Sequence, residues 1–337
     1  MFAYIVRRLA IGVVMLIVMS IVTFLLFFAA PGDPAKFACG KSCTPELHAQ
    51  TMKSLGYDKP ITTQYVKFVK GVFAGRSFPD DPAIAAANPA LVSKCPAPCL
   101  GYSPYEHENV TDIIKAAIPI SISIALMAFV MWMVGGVLFG VAAALRAGTV
   151  VDRGIVGFSL VLYAFPTFFT GLLLYYFVSI KWQILPIPAY TPLAQDPFQW
   201  FVGLLLPGLT LAVFYMAAYV RITRAYVLEA FGEDYVRTAR AKGLPQRKIV
   251  FKHAMRAALT PLVTMSGLDL AGLMGGAIIT ENVFNYPGLG YTAVKAVQNM
   301  DLPVTVAIVL LLSAFVIIAN ILVDVAYAYI DPRVRLD

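Results

Sequence analysis

The 337 residues carry 59% hydrophobic and 13% charged side chains with a net charge of +7, and the mean hydropathy is +0.76. That balance excludes an ordinary water-soluble globular domain and describes an integral membrane protein. The basic excess is concentrated in loops between apolar runs and needs no nucleic acid to account for it.

Hydrocarbon about 30 Å thick needs roughly 20 apolar residues per helix. Six runs reach that length, at 9–30, 116–145, 154–180, 201–220, 262–280 and 304–329. They predict an all-α integral membrane protein with six transmembrane helices. Arg7 and Arg8 precede the first run as in a signal peptide. The run is too long for a typical h-region and lacks a small-x-small cleavage site, so it reads as a retained helix. Arg7, Arg8, Arg146, Arg153, Arg333 and Arg335 mark one side of the membrane, together with nine cations between 221 and 256. The short connections of the other side offer Lys181 and Lys295. The positive-inside rule therefore places both termini in the cytoplasm. The chain divides into 1–30 (N-terminus and first helix), 31–112 (an extracytoplasmic loop) and 113–337 (a five-helix core with a cytoplasmic loop at 221–256).

Cys39, Cys43, Cys95 and Cys99 all fall in the long external loop. Two Cys-x-x-x-Cys pairs are able to bind zinc, but an oxidising face favours disulfides, with the pairing open among three arrangements. Residues 46–73 read as short helical segments broken at Gly56 and Pro60, and 78–104 as an irregular insertion. "YEHEN" at 105–109 reads as solvated loop. Among the spans, Gly136 with Gly140, Ala271 with Gly275 and Gly272 with Gly276 have the small-residue spacing that lets helices approach closely. Pro119, Pro166 and Pro207 are expected to begin or interrupt spans.

"DYVRTARAKGL" at 234–244 is the most fully specified local element. Glu233 and Asp234 suit the positive end of a helix, and Arg240 and Lys242 the negative end. Gly243 stands where a left-handed cap belongs and Pro245 prevents simple continuation. Glu233 and Arg237 have the spacing of a helical ion pair. A second helix is expected from Pro245 toward Pro261. Pure topology and contact with anionic headgroups would explain the cations. Small Ala239 and Ala241 between them suggest instead a surface that enters a groove on another protein.

"DYVRTARAKGL" followed by "KHAMRAALTP" resembles the EAA loop of binding-protein-dependent ABC importer permeases, in the branch that moves dipeptides, oligopeptides or nickel. "APGDP" at 30–34, "LGYDKPITTQY" at 55–65, "TENVFNYPGLG" at 280–290 and "DPRVR" at 331–335 extend the likeness over most of the chain. The resemblance implies a type I ABC importer permease fold in a bacterial or archaeal cytoplasmic membrane. It also implies a coupling helix formed by Glu233, Asp234, Tyr235, Arg237, Thr238, Ala239, Arg240, Ala241, Lys242, Gly243 and Leu244. The implied partners are a second permease, two ATPase chains, an external binding protein and the lipid around them. No cofactor is expected on this chain. The nearest phosphate-loop candidate, "ACGKSC" at 38–43, has Ala35 in place of the first glycine, so ATP and Mg belong to the ATPase subunits. Glu281, Asn282 and Phe284 fall in a stretch that resembles the external gate of the family. The first loop departs from the family by an insertion around Cys95 and Cys99.

Asp269 lies deep in apolar sequence, where an ionisable residue suggests a pathway role and a hydrogen-bonded structural carboxyl is the alternative. Asp324 reads as structural. His48, His107 and His253 are scattered, with no metal-binding helix spacing. The reading is a peptide permease without its own nucleotide site. Its rivals are a nickel permease, a proton-coupled secondary transporter using Asp269, and a membrane scaffold.

Overall fold

The computed structural model describes residues 2–28, 33–39, 43–87 and 89–330, with the side chains of 2–5, 34, 91, 260, 264, 268, 271, 274–276 and 322–330 left aside. The "DPRVR" stretch, residues 30–32 of "APGDP" and the side chains of Asp324, Ala271, Gly275 and Gly276 lie outside that description. The chain forms two compact units. One comprises Met1–Pro119 and Pro287–Ile318, the other Ile120–Tyr286 and Ala319–Asp337.

In the first unit, α1 (Phe2–Phe28) is a continuous apolar helix. It is followed by the short α2 (Pro34–Cys39), then α3 (Pro45–Leu55) and α4 (Ile61–Ala74). Thr44 caps α3 by accepting the Leu47 amide, and Gly56 ends it at φ 74°. The insertion after α4 is more ordered than its composition indicates. β1 (Arg76–Phe78) pairs antiparallel with β2 (Ser93–Cys95), and α5 (Pro82–Ala87) lies between them. β3 (Tyr102–Ser103) pairs with β4 (Glu108–Asn109), so "YEHEN" supplies part of the hairpin turn, at 105–107, and the whole of β4. Disulfides join Cys39 to Cys43 and Cys95 to Cys99. Cys95 and Cys99 are buried with Phe78 in a small core, and that core explains how so alanine-rich an insertion holds a shape.

α6 (Val110–Leu145) runs 36 residues through Pro119. The third apolar run is not one straight span. α7 (Val150–Ala164) and α8 (Thr167–Leu174), the latter continued by a π-helical turn to Lys181, are bent by 104°. Pro166 causes the break by forcing Phe165 into extended backbone. α9 (Pro197–Gly232) starts at the Asp196 cap and passes through Pro207, well beyond residue 220. Arg221 and Arg224 therefore belong to a helix and not to a connecting loop. α10 (Asp234–Ala241) and α11 (Gln246–Lys248) lead through a π-helical turn at Ile249–Ala254 into α12 (Met255–Phe284). Pro261 does not stop that helix, since α12 continues through it. α13 (Leu289–Gln298) and α14 (Leu302–Ile330) are the last of the described helices.

By length and composition, four described helices suffice to cross a membrane, and the bent α7–α8 pair makes a fifth. The core of the second unit gathers Trp132, Leu204, Leu211, Tyr219 and Leu273 from α6, α9 and α12. Gly136 and Gly140 serve the close approach that their spacing indicates. A Cβ on either would stand 2.5 Å from the Cβ of Tyr219 or Thr223 on α9. A Cβ on Gly272 would meet open space.

Candidate functional site

α10 is set off from α9 by a single extended residue, Glu233 (φ −73°, ψ 147°). Its far end closes as the sequence indicates. Gly243 adopts φ +73°, its amide donates to Arg240 O at 2.9 Å, and the Leu244 amide reaches Ala239 O at 3.3 Å. This pair of bonds is a Schellman cap, and Leu244 packs back on the helix as such caps favour. The expected Glu233–Arg237 pair does not form. Arg237 instead meets Asp234 at 3.5 Å with both side chains exposed, a contact worth little. Ala239 is also placed differently from expectation. With Val236 it is buried against Ile249, Phe231 and Leu244, so its small size serves packing inside this chain. Asp234, Tyr235, Arg237, Thr238, Arg240, Ala241 and Lys242 remain exposed, and the Arg240 guanidinium lies 5.5 Å from the Phe231 ring centroid.

Above α10, Arg224 of α9 donates from Nε to Asp152 Oδ1 at 2.6 Å and from Nη2 to Oδ2 at 2.8 Å. Asp152 also accepts the Gly148 amide at 2.8 Å, which anchors the start of α7. Farther along the apolar bundle, Tyr219 Oη donates to Asp269 Oδ2 at 2.6 Å, beside the rings of Trp132 and Tyr215. Glu281 is fully buried and accepts from Ser121 Oγ at 2.5 Å. Asn282 donates to Ile278 O, and Phe284 is buried edge-on against Tyr175 with ring centroids 5.9 Å apart. Asn285 then ends α12 at φ 56°, and Tyr286 Oη donates to Gly203 O at 2.7 Å. Asp269 and Glu281 thus each have an internal hydroxyl partner. Tyr219 and Ser121 were not legible as those partners, because only the packing of separate helices brings them there.

Residues 59–80 of the first unit hold a charge cluster of their own. Asp80 accepts from Lys59 at 2.5 Å, Lys67 at 2.7 Å and Arg76 at 3.2 Å. Burial works against its charge, but the two lysine hydrogen bonds and the Arg76 field hold the carboxyl below the usual range. Lys59 belongs to the "LGYDKPITTQY" stretch, which places its side chain on this acid. In the same unit, Lys295 meets Glu106 at 2.8 Å. Burial raises the Asp301 carboxyl against its hydrogen bond from Ser103. Among the described residues, no group of three or more His, Cys, Asp or Glu is placed to hold a metal ion.

Residues 136–336 match the family described as "Binding-protein-dependent transport system inner membrane component". Residues 1–125 match the N-terminal membrane-component family of the same systems. A probable peptide ABC transporter permease of Sinorhizobium fredii is 36% identical over 332 residues, covering 98% of this chain and 99% of its own. The dipeptide transport system permease of Escherichia coli K12 is 32% identical, covering 99% of both. A putative peptide transport system permease of Brucella abortus is 33% identical over the full length of both.

Proposed function

This chain belongs to the family of binding-protein-dependent transport system inner membrane components, and we propose that it is the permease of an ATP-driven importer of short peptides. It is a multi-pass inner membrane protein and the membrane component of its system, not the ATPase. Permeases of this family work with an ATPase and a binding protein. The observation that carries the peptide reading is the end-to-end match to relatives named as peptide and dipeptide permeases.

In this reading α1, α6, the α7–α8 pair, α9, α12 and α14 make six spans with both termini in the cytoplasm, as the cation distribution supports. Residues 31–112 face outward with both disulfides and meet the binding protein. Residues 113–337 form the core, pairing with a second permease. α10 presents Asp234, Tyr235, Arg237, Thr238, Ala241 and Lys242 to one of two ATPase subunits, which hold ATP and Mg. Asp269, Glu281, Asn282 and Phe284 line the path in a closed arrangement. The fully buried Glu281 and the packing of Phe284 support that state.

Purification of a C-terminally tagged chain from native membranes in mild detergent tests the assembly. Recovery of a second permease and P-loop ATPases, with ATP-dependent peptide uptake in proteoliposomes, is the expected result. A chain that purifies alone, or uptake driven by a pH gradient without ATP, would overturn it.

A further inference from the structure

An apolar groove of about 400 Å³ lies in the first unit. Val13, Ile17 and Ser20 of α1 form one wall, and Leu311 and Ala314 of α14 form the other. α4 closes it with Phe68, Val72 and neighbouring apolar residues. Among the described residues, the hydroxyls lining it are those of Ser20 and Tyr65, which satisfy each other at 2.7 Å. A groove of this kind in water would be filled by side chains, because an unfilled apolar void forfeits dispersion contacts. Here both walls are helices long and apolar enough to cross a membrane, so hydrocarbon and not water is what the groove meets.

α4 shows where the polar end of an occupant belongs. With 14 residues it is about 21 Å long, too short to span. The Ser20–Tyr65 hydrogen bond fastens it to α1 eight residues before Phe28, roughly 12 Å along the helix from that end. Its Lys67 is tied to Asp80. On its outer surface Val66 (63% exposed) and Lys70 share one stripe, which Phe73 (81% exposed) continues at the rim of the groove. A cation flanked by exposed apolar side chains is the pattern of a helix lying in the membrane interface, its apolar groups in acyl chains and its lysine at the phosphates.

We propose that this groove is a phospholipid site, one acyl chain lying between α1 and α14 beneath α4 and the headgroup phosphate at Lys70. The proposal rests on reading α1 and α14 as spans, and it makes one lipid part of the fold of the external segment. The assembled transporter is reconstituted in nanodiscs containing phosphatidylglycerol with a diazirine at the end of one acyl chain, irradiated, digested and mapped by mass spectrometry. The expected result is adducts concentrated on 13–20, 65–73 and 307–314. Filling the groove by Ala314→Phe, or independently by Val69→Phe, should lower them at least fivefold while adducts elsewhere on the chain stay unchanged. Groove adducts no more frequent than the average over the chain, as when a protein helix fills the groove, would overturn the proposal. So would yields that neither variant changes. Co-purification of the ATPase reports separately on the importer reading, so failure of one is distinguishable from failure of the other.

Discussion

Arg224 holds Asp152 across 72 positions of sequence through two parallel hydrogen bonds of 2.6 and 2.8 Å. The carboxylate is nearly sequestered (5% side-chain exposure) and the guanidinium is 31% exposed. Because Asp152 also fixes the Gly148 amide, one side chain sets both the start of α7 and its attachment to α9. Arg224→Ala and Asp152→Ala are each expected to lower the melting temperature of the purified chain by several degrees. The double variant should be little worse than either single one, since both remove the same bond. Thermal unfolding of all four proteins in one detergent checks this, and additive losses would show that the two residues act separately.

Gly243 is a second test point. A Cβ there would meet open space, so any penalty of substitution comes from the backbone, at φ +73°. Gly243→Val should cost about 1–2 kcal/mol locally and fray the last turn of α10. Gly243→Asn should cost less, because Asn tolerates this conformation. On the proposed docking, peptide uptake per ATP hydrolysed falls in the order wild type, Asn, Val, while membrane insertion is unchanged. Coupled transport by the Val variant equal to wild type would exclude α10 as the coupling element.

Asp269 is expected to be structural or substrate-facing, not a proton carrier. Asp269→Asn should leave uptake driven by ATP and insensitive to a protonophore. Tyr219→Phe should remove the 2.6 Å hydrogen bond and cost about 1 kcal/mol of stability. Uptake assays with ATP and with an imposed pH gradient separate the cases, and gradient dependence appearing in wild type would reverse the assignment.

The two disulfides should differ in access. Cys95 and Cys99 are 2% and 1% exposed, whereas Cys39 and Cys43 are only partly covered. Thiol–disulfide exchange needs an approaching thiolate, so mild reductant opens Cys39–Cys43 first. Differential alkylation followed by mass spectrometry measures the order. Cys95 alkylated as fast as Cys39 would contradict the packing around Phe78.

Acid and base should act oppositely on two carboxylates of the first unit, Asp80 and Asp301. Asp80 is held below its ordinary value of about 3.9. Its stabilising contribution is complete above that value and is lost as pH falls through the lower folded value. Asp301 is raised, so the folded state holds its proton longer than the unfolded chain. That contribution is complete at low pH and declines as pH rises from about 4 toward the folded value. Asp301→Asn should therefore flatten the decline above pH 4, and Asp80→Asn the loss below it. Hydrogen exchange of 76–109 across pH 3–7 is the readout.

The apolar runs were legible because a helix in hydrocarbon must satisfy its own backbone groups, so length and hydropathy alone mark it. Local caps were legible for a similar reason. Gly243, and Gly136 with Gly140, act through conformation or size at their own positions. The bend at Pro166 was visible only as a breaker, since hydropathy carries no direction. The extension of α9 past residue 220 was hidden by Arg221 and Arg224, whose charges read as loop until Asp152 supplies a partner. The inward face of α10 was also out of reach. Which side Ala239 turns depends on Ile249, and that register is set by the π-helical turn between α11 and α12. The order of the insertion follows from Phe78 meeting Cys95 and Cys99, a contact between separate strands with no local signature.

The short packing between Val236, Ala239 and Ile249 makes α10 a lever with two mountings. At one end it joins α9 through Glu233, with Phe231 of α9 packed on it, and along its flank it is wedged against Ile249 of the π-helical turn that leads into α12. Tyr219 and Asp269 pin α9 to α12 again farther up. On the proposed docking, a push on α10 would reach both long helices at once and turn them together. On that reading the extended residue at 233 is where the linkage would bend, so a rigid substitution there, such as proline, would change how far α10 swings without touching the surface it presents.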